Sequence, residues 1–375
     1  MLIDNDFSFF AGFGDYASYG EAALKAAGVS YQVWNTDERF DNPQTIPDAT
    51  DLAGYGVVIW VTGDNTHADG YYVPSTPLTA KDMAILAQYL DGGGRLLALG
   101  QNLAEASDVN PDPDSTWGRS HLYHGYLGAH WLQGALYHDD QGIGVQPPQG
   151  EIAVAGAPSG FLQGIGLHLG PIGDGAGNQT SIDEIAPGGL VDGSDARLVA
   201  PVLFALGGKP VKDGYVGVAK SCDLPLESPL PACAYRTAYY AFGLEGINDG
   251  LGPTSRAEVI SRTLRWLEDE VAVSLSAAAY SAVGVPTAMT CSAQTRAGSP
   301  VDAYRWQIAD GESLRVFSTA DPALAYSFEN RGRHRIAVEA RDALGHTAVA
   351  TGTVVVVTGG ASSFQADPEA AVPGG

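Results

Sequence analysis

Two short runs, residues 57–61 (VVIWV) and 96–99 (LLAL), are apolar at every position, and each stops at once on small or polar residues. A strand with one wet face alternates apolar and polar side chains, so a run without alternation must be covered on both faces. That demand calls for helices on either side of a sheet. The turn Gly92-Gly93-Gly94 feeds the second run, and Gly100, Gln101 and Asn102 end it. A buried parallel strand ends this way at the carboxyl edge of an α/β sheet, where ligands bind.

The neighbouring segments fit that frame. Residues 1–6 (MLIDND) read as a strand, 19–27 as a helix ended by Gly28, and 29–34 as a second strand. Residues 79–90 form a helix in which Thr79 and Asp82 make a capping-box-like start. Residues 120–132, rich in His, Tyr and Trp, are expected to be helical, and 141–193 an irregular insertion with a few short strands, because glycine and proline crowd it. Strands at 197–206, 215–219 and 235–242 and a helix at 255–267 close a parallel-sheet α/β domain over residues 1–270.

After residue 271 short alternating or β-branched runs are separated by turns such as Asp310-Gly311 and Arg331-Gly332. This predicts an all-β sandwich of about seven strands over residues 271–358. Residues 359–375 are a low-complexity tail with no core-forming pattern.

Composition narrows the partners. The net charge is -23, and no basic cluster stands out along the sequence, so nucleic acid and anionic membrane are poor partners. No apolar run approaches the ~20 residues that span a bilayer, so membrane insertion is not expected. Met1 leads straight into a strand, without a basic segment followed by an apolar core, and we expect a processed or partial chain. The abundance of glycine, proline and acid suits a loop-rich extracellular or cell-surface protein. Cys222 and Cys233 flank a proline-rich loop and would close a disulfide in an oxidising compartment or stay as two reduced thiols; Cys291 reads as a small core residue.

Hydrolase-type folds put a Ser or Cys nucleophile on a strained turn at the strand's carboxyl end. Here Gln101 and Asn102 stand there, and an amide cannot form the acyl intermediate. No G-x-S-x-G, H-E-x-x-H or Walker sequence is present. The rival site is Asp4 and Asp6, with Asp64 and Asn65 near the same edge; they would do acid/base work, bind a sugar or cation, or be tied up by loop amides. Asp108, Asn110, Asp112 and Asp114 put oxygen ligands at alternate positions, the logic of a calcium loop, although Pro113 and Arg119 depart from the EF-hand and a solvated acidic turn has the same look. His121, His124, His130 and His138 with Asp139 and Asp140 offer a zinc set in which only His121 and His124 have helical spacing; an aromatic helix face is the plainer reading. Trp34, Trp60, Trp117 and Trp131 are core residues before they are glycan platforms. Asn178-Gln179-Thr180 is a glycosylation sequon.

The runs LIDND, YGVVIWVTGDN, LTAKDMAILAQYLDGGGRLLALGQN, HGYLGAHW, YYAFGLEGI and SRAEVISRTLRWL come in an order that resembles the glutamine-amidotransferase-like, flavodoxin-type domain beside the catalytic domains of large secreted bacterial peptidases. An active member would pair an elbow Cys with a His and a Glu; Glu245 has no His near it in sequence. Residues 271–358, through AYRWQIADGE and AYSFENRGRHRIAVEARDALGHTAVATGTVVVV, resemble a PKD domain, an immunoglobulin-like sandwich of extracellular spacers and adhesion modules. The resemblances imply a non-catalytic structural or adhesive protein, either an accessory region of a longer secreted chain or a subunit that assembles with copies of itself at a surface, with glycans as further partners. A hydrolase with an unrecognised site, or a carbohydrate-binding module, is the alternative.

Overall fold

A computed structural model describes residues 1–6, 15–36, 46–63, 80–108, 121–139, 151–188, 199–221, 235–268, 271–295, 299–343 and 346–358. The chain divides into two compact units, Met1–Glu270 with Ala343–His346, and Val271–Asp342 with Thr347–Gly375.

In the first unit the chain runs β1 (Leu2–Asp4), α1 (Ala17–Ala26), β2 (Val33–Asn35), α2 (Ala49–Leu52), β3 (Val58–Val61), α3 (Ala80–Asp91), β4 (Arg95–Leu99) and α4 (Leu103–Asp108). A π-helical turn, His121–Leu127, precedes β5 (Ala129–Gln133), β6 (Ile152–Gly156), β7 (Gly166–Leu169), β8 (Glu184–Pro187), β9 (Val199–Ala205), β10 (Tyr215–Ser221), β11 (Arg236–Tyr240) and α5 (Arg256–Glu268). Among the described residues the main sheet has the order β2-β1-β3-β4-β11-β10-β9-β6-β7. The pairings from β2 to β11 are parallel, and those from β11 to β7 antiparallel.

The apolar runs are explained by this placement. Ile59, Val61, Leu97 and Leu99 pack on one face of the sheet with Leu24 of α1 and Val259, Ile260 and Leu264 of α5. Val58, Trp60, Leu96 and Ala98 pack on the other with Met83, Leu86 and Leu90 of α3. Successive strand side chains point to opposite faces, so two helical layers demand an apolar residue at every position.

Two expectations are corrected. The sheet is not wholly parallel: β6, β7 and β9 lengthen it on its antiparallel side, two of them from the insertion, and strand outweighs helix along the chain. Residues 120–132 are not one helix, because the π-turn ends at Leu127 and β5 begins at Ala129. Gly128 between them has φ 70°, and a Cβ there would fall 2.5 Å from Val199. β5 instead pairs with β8 in a separate two-stranded ribbon.

The second unit is a β-sandwich of β12 (Val271–Ala277), β13 (Tyr280–Ala282), β14 (Pro286–Thr295), β15 (Val301–Asp310), β16 (Ser313–Thr319), β17 (Ala323–Ser327), β18 (Gly332–Asp342) and β19 (Thr347–Val357). One sheet has the order β12-β14-β17, the other β13-β19-β18-β15-β16. Trp306, Phe328, Met289, Cys291, Val338 and Val354 fill the space between them.

Candidate functional site

The carboxyl edge of β4 is built as a strand-to-helix elbow. Gly100 has φ 149°, and a Cβ there would lie 1.8 Å from the Thr62 hydroxyl, so only glycine fits. Of the two amides at this turn, Asn102 holds the left-handed backbone, φ 59°, and α4 starts directly after it. Gly100-Gln101-Asn102-Leu103-Ala104 thus has small residues on either side of the strained position, the spacing of a nucleophile elbow, with an amide at its tip.

Gln101 is fully buried and faces the insertion. Its Nε2 donates to the Asn178 carbonyl at 2.9 Å, and its Oε1 accepts from the Ser181 amide at 2.9 Å. Glu245, in the 3-10 turn Leu244–Gly246 after β11, is equally buried. One of its oxygens accepts from Asn178 Nδ2 at 3.0 Å and Gln179 Nε2 at 2.9 Å. Gln101 and Glu245 therefore meet through one strap of the insertion, residues 178–181. The sequon nitrogen is the donor to Glu245, and a glycan on Asn178 would replace one of its two hydrogens.

Arg256, at the start of α5, ties the preceding part of the strap down. It donates to the Asp174 carboxylate at 3.1 Å, the Asp174 carbonyl at 2.7 Å and the Leu244 carbonyl at 3.0 Å, and lies 5.0 Å from the Tyr19 ring centre. Partial burial works to raise the Asp174 pKa, but the Arg256 guanidinium and the amides of Gly250 and Asp249 together outweigh it and hold the carboxyl below its ordinary value. Beneath the elbow, Asp183 is fully buried and accepts from the Glu105 amide of α4 at 3.1 Å. Burial pushes its pKa up to about 8, the amides of Glu105 and Ala104 and the Trp131 indole pulling the other way. Sequence reading missed Asp183 because an acid in a polar stretch looks solvated.

Asp4 and Asp6 come together at the end of β1, joined by Asp15: one carboxylate oxygen from each lies within 4.8 Å of the others. Asp4 accepts from Asn35 Nδ2 at 2.8 Å. Asp6 accepts from the Tyr16 and Ala17 amides and so caps α1. Both carboxylates are engaged in holding the fold.

Many of the remaining candidates lie outside the described residues. Asp108 is the last residue of α4; Asn110, Asp112 and Asp114 lie outside the described residues, as do Asp64, Asn65, Asp140, Cys222, Cys233 and Trp117. The rings of His124 and His130, from the π-turn and β5, lie 4.5 Å apart at a tilt, whereas the expected helical pair was His121 and His124. Trp60 is a core residue, Trp34 and Trp131 are half-buried, and Cys291 is a buried free thiol whose pKa burial raises.

The protein-family model of the PKD domain matches residues 272–356. No curated protein matches the chain. Among solved structures, the CARDB domain of a Pyrococcus furiosus protein, in complex with di-metal ions, is 14% identical over 24% of this chain and 89% of its own, with a TM-score of 0.18. The PKD1 domain of Vibrio anguillarum Epp is 16% identical over 24% of this chain and 95% of its own, with a TM-score of 0.19. Likeness at that level carries no functional argument. From the family match and the two-sheet architecture together, residues 272–356 are a PKD domain.

Proposed function

We propose that this chain is a non-catalytic, extracellular structural or adhesive segment, in which an amidotransferase-like α/β unit with a disarmed elbow precedes a PKD domain. The observation that carries the reading is Asn102 at the strained elbow position. A carboxamide has no nucleophile of the Ser or Cys kind, and the neighbouring Gln101 is buried and bonded to the strap. The parallel strands β2-β1-β3-β4-β11 give the order 2-1-3-4-5 of a doubly wound sheet, which supports the flavodoxin-type part of the resemblance. PKD domains are associated with extracellular accessory or adhesion roles. No helix among the described residues is long and apolar enough to cross a membrane.

Hydrolysis of chromogenic esters, peptide amides and glutamine tests the reading. We expect no turnover above buffer and no change with Asn102→Ala. Turnover that Asn102→Ala or Glu245→Gln abolishes would overturn it.

A further inference from the structure

The charge of this protein is divided unevenly. Residues 271–358 carry seven arginines, no lysine and seven acidic residues, so the whole net charge of -23 lies outside the sandwich. The sandwich arginines are also gathered. In the five-stranded sheet, the register β18 to β19 sets Arg333 opposite Val355 and Arg335 opposite Thr353. Val355 in turn lies opposite Tyr280 of β13. Residues opposite one another in a sheet share a face, and this one is turned away from the core, because His334, Ile336, Val354 and Val356 point inward.

Arg333, Arg335, Thr351 and Thr353 are exposed and line an open groove. Neither arginine makes an ion pair with any described residue. Beside them stand Tyr280 at 73% exposure, and Leu314 and Val316 of the edge strand β16 at 54% and 44%. Arginine and tyrosine with aliphatic neighbours, and no lysine, is the composition of interface cores rather than of solvated surface.

We infer that this outer face of the sandwich docks a second copy of the chain, through the acidic surface of the second copy's first unit. Charge complementarity selects that occupant: exposed acids of the first unit include Asp48, Asp51, Asp91 and Asp213. The two surfaces in contact are different patches, so the contact is heterologous and propagates into open chains unless the rotation closes a ring. This goes beyond the non-catalytic reading and rests on the sandwich face and on the acidity of the first unit.

The electrostatics give a distinctive salt dependence. Whole copies repel through their net charge, with a reach of roughly 30 Å at about 0.01 M salt and roughly 8 Å at about 0.15 M. Ion pairs in contact are weakened only when the screening length approaches roughly 3 Å, near 1 M. Association is therefore expected to be strongest at intermediate ionic strength.

Sedimentation of the full chain over a concentration and salt series tests the inference. We expect mass that keeps growing with concentration near 0.15 M salt and falls at both lower and higher salt. Arg333→Glu with Arg335→Glu should weaken association at least about tenfold, the scale of losing a favourable charge pair. Arg333→Lys with Arg335→Lys, which keeps the charge, should retain most of it, and Tyr280→Ser should weaken it a few-fold with an unaltered circular dichroism spectrum. A monomer at every salt concentration overturns the inference, as does association indifferent to the double reversal. Arginine-dependent retention on heparin by a chain that stays monomeric would assign the face to an acidic polysaccharide and also overturn it. The hydrolysis assay is separate, so either reading can fail without the other.

Discussion

Each unit buries an aspartate next to a turn, and the two are solvated in opposite ways. Asp310, before the Asp-Gly turn of the sandwich, accepts from the Glu329 amide at 2.8 Å, the Asn330 amide at 3.2 Å, Asn330 Nδ2 at 3.1 Å and the Tyr326 hydroxyl at 3.0 Å. Burial works to raise its pKa, but these donors outweigh it and hold the carboxyl below its ordinary value. Asp183, under the elbow of the first unit, accepts from the Glu105 amide through Oδ2, with the Ala104 amide and the Trp131 indole acting on it more weakly. Burial there dominates and leaves the acid neutral up to about pH 8. The charge of a buried carboxyl follows from the balance between the depth of its burial and the donors aimed at it.

The difference breaks most visibly at Asp310. Asp310→Ala would leave four donors without their acceptor, and a loss of about 3–5 kcal/mol in sandwich stability is expected by chemical denaturation. Its depressed pKa means the stabilisation is present above the ordinary carboxylate range and is lost as pH falls through the folded value. Acid unfolding below about pH 4 should therefore include the sandwich and become shallower in Asp310→Ala. A loss below 1 kcal/mol would show that the donors turn to water at little cost.

Asp183 sharpens the contrast with the reverse sign. Its folded pKa lies above the unfolded value, so between about pH 4 and 8 the unfolded state binds fewer protons and stability declines as pH rises. The slope approaches about 1.4 kcal/mol per pH unit from this one group. Asp183→Asn removes the slope and makes the first unit more stable than wild type near pH 8, by a few kcal/mol on this scale. Parallel pH profiles of the two proteins would contradict the assignment of a neutral acid.

What the sequence disclosed follows the same division between local and distant causes. The apolar run VVIWV announced a strand covered on both faces, because alternation is a local property of the chain. Asp310-Gly311 announced a turn, since Gly311 sits at φ 64°. The donors that lower the Asp310 pKa come from residues 326–330 and leave no local trace. Antiparallel β6 and β7 were hidden in glycine-rich sequence, where pattern is weakest. Residues 120–132 combine a π-turn and a strand whose aromatic spacing imitates a helix, and only the φ of Gly128 separates them. At the site, Gln101 and Asn102 were legible as the amides that follow β4, but which of them carries the left-handed backbone was not, because backbone strain does not show in residue type. The arginine face was invisible for a similar reason: Arg331, Arg333 and Arg335 look diluted along the chain until strand alternation turns Arg333 and Arg335 to one side.

The strap over the elbow gives the next effect in size. Arg256→Ala removes hydrogen bonds to Asp174 and to the Leu244 carbonyl and leaves the latter without that donor. A loss of about 2 kcal/mol is expected, with faster amide exchange concentrated in residues 170–181 rather than in β3 and β4. Half of the Asp174 side chain and a third of that of Asp249, the second carboxylate paired with Arg256, are exposed, so the ion pairs add little and the backbone bonds account for most of the loss. Uniformly faster exchange through the sheet would mean that Arg256 supports the core and not the strap.

Asn102 gives the smallest effect and bears most directly on function. A left-handed backbone at a non-glycine residue costs free energy, least for asparagine, and persists where the surroundings impose it. If the side chain has no task at the elbow tip, Asn102→Gly relieves that cost and raises stability by up to about 1 kcal/mol, less the entropy that glycine loses on folding. Asn102→Ala, which keeps the strain and removes the amide, should destabilise by about 1 kcal/mol. If instead both substitutions destabilise equally, the carboxamide itself holds the elbow, and the turn is maintained by a polar contact rather than tolerated as the remnant of a catalytic geometry. Thermal midpoints of the two variants, measured side by side, separate these cases.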